Sequence, residues 1–96
     1  RVFGARMAEH EGTASEKIAW GLTEALSRKG TSEEVELLAK VYQSQLKKFN
    51  DDPEAAVAFL STGRWPATAN VPAHEAAAWG QVGRVILNAY ETISRF

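Results

Sequence analysis

The groups able to do chemistry in this chain are few and stand far apart. Its two histidines are His10 and His74. His74 and Glu75 open what reads as a helix, where a carboxylate is favoured against the positive end of the dipole and a histidine could bind a metal or move a proton. Helix capping accounts for the same two residues without chemistry. No His-x-x-x-His or Glu-x-x-His pair puts two ligands on one helix face. With no cysteine, the chain holds no thiolate metal site, disulfide or heme-attachment pattern. The sequence therefore predicts no cofactor and no metal within this segment. Glu75 and Glu91, on one predicted helix, would lie about 24 Å apart at ~1.5 Å per residue, too far to act on one bond. Ser15, Ser32, Ser44 and Ser94 have no histidine at a spacing that marks a triad. No catalytic residue emerges, and whether the parent protein is an enzyme stays open.

Two features could serve recognition instead. Arg84, Asn88, Glu91 and Arg95 follow one another at steps of four, three and four, and so form one polar line along a helix. A mostly apolar helix that keeps such a line must give those groups partners or leave them in water. The line is either a surface for a partner domain or a solvated face with an ordinary Glu91–Arg95 pair. Asn88, a poor helix former at mid-helix, is the best candidate for a structural hydrogen bond. Trp65 stands in the longest predicted loop, Ser61 to Val71, where it would either stack on a sugar or partner or plug the loop onto the core.

The elements that must position these residues are helical. Of the 96 residues, 45% are hydrophobic and 24% charged, as in an ordinary globular domain, and alanine, leucine, glutamate and lysine recur with helical spacing. A short first helix runs from Arg1 to about His10, with Val2, Ala5 or Arg6, and Ala8 or Glu9 as a weak apolar face. Thr13 and Glu16 have capping-box spacing for a second, which carries Ile18, Leu22, Ala25 and Leu26 inward and runs to Arg28. Gly30 is expected to take the left-handed conformation that ends it, and Thr31 with Glu34 to cap the next. So short a connection predicts an antiparallel pair.

The third helix shows Val35, Leu38, Val41 or Tyr42, Leu46 and Phe49 on one stripe and ends near Asn50. Asp52 before Pro53 opens a brief fourth, to about Leu60. The last begins at Pro72 and buries Trp79, Val82, Gly83, Ile86, Tyr90 and Ile93, with Val85, Leu87 and Ala89 widening that face. Gly80 and Gly83 each cost a helix interior roughly 1 kcal/mol, which predicts close approach of a neighbouring backbone. The expected fold is all-α, a compact bundle of four to five helices around a central C-terminal helix, forming a single lobe over 1–96 cut from a larger multidomain protein.

A net charge of -1 offers no general attraction to phosphate backbones, so nucleic acid is not an expected partner. No apolar run approaches the roughly 20 residues of a membrane span.

Several stretches resemble one known family. Pro72-Ala73, Glu75-Ala76-Ala77-Ala78-Trp79, Val82 through Asn88, and Glu91, Ile93 and Arg95 look like the ending of planctomycete secreted domain one, a domain of unknown function. Ala19-Trp20, Arg28 through Val35, Asp52 through Ala56, and Gly63 with Pro66 are also similar to it. The family usually has proline where Gly30 and Ser32 stand and an acidic residue where Tyr90 stands. The resemblance covers the C-terminal helical part of that domain. It implies an exported, extracytoplasmic bacterial multidomain protein, often bearing cytochrome c-like domains. Together these readings point to a non-catalytic structural or interaction lobe. Its partners would be other domains of the same parent protein, with homo-oligomers of the isolated segment also expected. The alternative is a carbohydrate- or ligand-binding lobe using the Trp65 loop.

Overall fold

The computed structural model describes residues 3–62 and 71–94, with side chains for 3–61 and 71–89. Among the described residues there are helices and no strands, in the order α1 (Phe3–Glu9), α2 (Ala14–Leu26), α3 (Ser32–Asp51), α4 (Pro53–Thr62) and α5 (Ala73–Ser94). The all-α bundle expected from periodicity is the fold. Its last helix is also its centre, because α5 touches each of the other four.

The helix starts follow local chemistry. The Thr13 hydroxyl accepts from the Glu16 amide at 3.2 Å, while the Glu16 carboxylate accepts from the Thr13 amide at 3.0 Å. Thr31 and Glu34 repeat the arrangement at 3.1 and 2.8 Å. Each box satisfies two amides that a helix end would otherwise leave unpaired, and an N-cap of this kind is worth about 1 kcal/mol. At α4 the Asp52 carboxylate accepts from the Ala55 amide at 3.2 Å, and Pro53 occupies the first helical position, where its missing N–H costs nothing.

The end of α2 differs from the expectation. The helix closes at Leu26 and not at Arg28, and Ser27 takes the left-handed conformation, with φ 55°. Gly30 keeps a negative φ. Its lack of a side chain serves packing, since a Cβ there would fall 2.5 Å from Leu22 Cδ1.

The main core joins Met7, Ile18, Leu22, Leu38, Tyr42, Trp79, Val82 and Ile86, all buried. A smaller cluster of Phe49, Ala56 and Ala77 closes α4 over the start of α5. The inner face of α1 is Gly4, Ala5, Met7 and Ala8, while Arg6 and Glu9 are exposed. Methionine, flexible enough to fill an irregular gap, extends the weak face that the alanines provide.

Gly80 and Gly83 are kept small by their neighbours, as their cost in a helix required. A Cβ on Gly83 would stand 3.2 Å from the Gly4 amide nitrogen, and one on Gly80 would stand 2.4 Å from the Phe59 ring. On the other side of the crossing, a Cβ on Gly4 would lie 2.8 Å from the Trp79 carbonyl oxygen and 2.9 Å from the Gly80 Cα. α1 and α5 therefore meet backbone to backbone.

Candidate interaction surface

Two networks hold the helices that carry the surface. In the first, Tyr42 stacks on Trp79 with ring centroids 4.2 Å apart. Burial raises the Tyr42 pKa, the negative charge of Glu75 adds to that, and a hydrogen bond from Trp79 opposes both. Lys17 reaches the same tryptophan, its ammonium 5.6 Å from the ring centroid. It also donates to the Ala8 carbonyl at 2.9 Å, where the end of α1 presents unpaired acceptors. One cation thus ties α2 to α1 and α5.

In the second network, Trp20 is half-buried beside α1. His10 stacks on it at 4.9 Å, and the Arg6 guanidinium lies 5.4 Å from its ring centroid while donating to Glu24 at 3.1 Å. These contacts engage His10, Arg6 and Trp20 in holding α1 against α2.

At the α2–α3 connection, both Arg28 amino groups donate to the Glu34 carboxylate at 3.0 Å, a two-pronged pair. Arg28 and then the Thr31 amide hold Glu34 down at a pKa of about 2. The Thr13 amide and hydroxyl likewise lower Glu16. Both shifts belong to helix starts. They mark fixed local structure and not a reacting group.

His74 is half-buried in the first turn of α5 and lines a shallow polar groove with Gln43, Leu46, Lys47 and Asn50. Glu75, half-buried in the same turn, adds its charge to the burial that raises the Tyr42 pKa. Among the described residues, no three histidine, aspartate or glutamate side chains converge as a metal site. Arg84 and Asn88 share the outward line of α5 and are exposed. The packing of α5 against its neighbours is carried by its apolar and glycine contacts. The side chains of Tyr90, Glu91 and Ile93, and the whole of Val2, Trp65 and Arg95, lie outside the described residues.

Beside these polar residues, large apolar ones also reach the surface. Leu37 is 63% exposed, Val85 43% and Leu87 41%. The expected widening of the α5 apolar face by Val85, Leu87 and Ala89 does not lead inward, because α1 and α3 cover only part of its circumference. Val85 and Ala89, four residues apart, face α3 across a groove. Leu87 lies roughly 200° round the helix from Val85 and is not part of it. Leu22 and Leu26 of α2, and Glu34, Leu37 and Leu38 of α3, line the groove with Val85, Ile86 and Ala89. Its volume is about 150 Å³.

Leu37 was missed because it falls off the stripe of Val35, Leu38 and Tyr42. That is also the signal that could have found it. A leucine out of phase with its helix's buried face has no core to enter.

Comparison with known proteins adds no relative: no protein family, no curated protein and no solved structure matches this chain. No helix among the described residues is long and apolar enough to cross a membrane.

Proposed function

We propose that this chain is a non-catalytic structural and interaction lobe that helps assemble a larger protein through the face formed by α2, α3 and α5. The observation that carries this is the open groove beside Leu37. Exposed leucines scattered singly are normal, but a leucine standing on the rim of an aliphatic groove makes one continuous apolar face. Such a face has water as its poorest neighbour and another protein surface as its best.

The resemblance to planctomycete secreted domain one supports placing the parent among exported bacterial multidomain proteins, with cytochrome c-like domains in the same polypeptide and other domains of that parent as neighbours.

The test is a photo-crosslinking amino acid placed at position 37 of the full-length protein. Crosslinks from position 37 to another protein surface are expected, with position 11, exposed between α1 and α2, as a control that gives none. Equal, solvent-only labelling at both positions would sink the proposal. Fractionation of cells expressing the parent checks the compartment, and a purely cytoplasmic protein would remove the exported context.

A further inference from the structure

The groove face carries a projection and a recess side by side. Leu37 stands out from α3 with 63% of its surface exposed. The mostly apolar recess next to it holds about 150 Å³ between Leu22, Leu26, Val85 and Ile86, with Leu37 itself and Glu34 also lining it. An apolar cavity of that size admits a benzene-sized group, so the smaller isobutyl group of leucine fits. A surface with both shapes on one face can match a rotated copy of itself, which is what a two-fold interface requires.

Charge selects the orientation of such a pairing. The N-terminal half of α3 exposes Glu33 and Glu36, and beyond Leu37 it exposes Lys40, Lys47 and Lys48. Glu33, Leu37 and Lys40 lie at steps of four and three and so share one side of the helix. Parallel α3 helices would set glutamate against glutamate. Antiparallel helices crossing at Leu37 set Glu33 of each copy beside Lys40 of the other, the arrangement that opposite charges favour. A net charge of -1 leaves little overall repulsion between copies.

We propose that the groove is occupied by a second copy of this chain, with α3 antiparallel to its counterpart and each Leu37 seated in the other copy's groove. This rests on the α2–α3–α5 face being an interaction surface, and it names the occupant.

Sedimentation of the chain across a concentration series tests it, with circular dichroism showing that each variant stays helical. The wild type is expected to form dimers whose share rises with concentration, and Leu37→Glu to be monomeric. Glu33→Lys and Lys40→Glu, each alone, bring like charges together twice in the dimer and are expected to weaken association about tenfold or more. The Glu33→Lys/Lys40→Glu double variant restores opposite charges and is expected to recover dimerisation. Neither position contributes to the core, so this recovery separates pairing from folding. A wild type that stays monomeric at its highest soluble concentration, or a double variant as weak as the singles, overturns the proposal. If the chain is monomeric yet position 37 of the parent crosslinks to another domain, the interaction lobe stands and its occupant is that domain. Failure of both removes the surface itself.

Discussion

On one side of α5, Gly83 meets the backbone of Gly4 so closely that an added methyl group would touch it at about van der Waals contact or nearer. On the other side, Val85 and Ala89 face Leu37 across an open groove. One helix thus carries a contact with no spare room and a contact with nothing in it. Small residues let two backbones approach and fix α1 in a single position. Large aliphatic residues, left unfilled, keep a face available for something else. The two sides should respond to substitution in opposite ways.

The largest effect is expected at the closed side. In Gly4→Val the new side chain would run into the Trp79 carbonyl and the Gly80 Cα, and these are backbone atoms that cannot turn aside. Overpacking of this kind costs about 3 kcal/mol. For a chain of this size that lowers Tm by more than ~10 °C, measurable by thermal unfolding followed at 222 nm. A variant as stable as the wild type would mean that α1 is not held by the crossing.

The next prediction sets the two sides of the groove wall against each other. Ile86→Ala empties a fully buried position and is expected to cost about 3 kcal/mol, whereas Leu37→Ala on the rim should stay within about 0.5 kcal/mol in urea unfolding. Similar losses at both would show that Leu37 supports the fold and would close the groove as a surface.

The smallest effect belongs to the α2–α3 connection beside the groove. Glu34 titrates at about 2 in the folded chain against an ordinary 4.5. Its contribution is therefore complete above about pH 4.5 and is lost as pH falls through about 2. Tm measured from pH 5 to 2 should fall less steeply in Glu34→Gln than in the wild type. The difference should be modest and shrink with salt, because the Arg28–Glu34 pair is partly exposed.

What the residues disclosed in advance divides along the same line. Thr13 with Glu16, Thr31 with Glu34, and Asp52 with Pro53 are local signals and mark the helix starts to within a residue. Gly80 and Gly83 announced a close neighbour because glycine in a helix needs one, although nothing in the sequence said that the neighbour is α1 for one and Phe59 for the other. Ser27 in the left-handed conformation was hidden by Gly30, the better candidate on intrinsic preference. Its place is set by where α2 runs out of core to cover.

The candidate surface was less legible still. Periodicity sorts residues into inward and outward on a single helix, but how far round each helix the neighbours reach is decided by the other helices. Val85 and Ala89 therefore read as core, and Leu37 as nothing at all. Arg84 and Asn88 of the polar line lie exposed on α5, and their exposure follows from the same incomplete coverage.

The crossing of α1 and α5 also constrains the order in which the molecule can be made. A seven-residue helix has too few turns to persist alone in water. Its backbone partner lies at the opposite end of the chain, position 4 against position 83. During synthesis α1 can meet α2 early, but its backbone crossing waits for α5, and closing so long a loop is entropically slow. The α1–α5 crossing is thus among the last contacts of the bundle to form, and it joins position 4 to position 83.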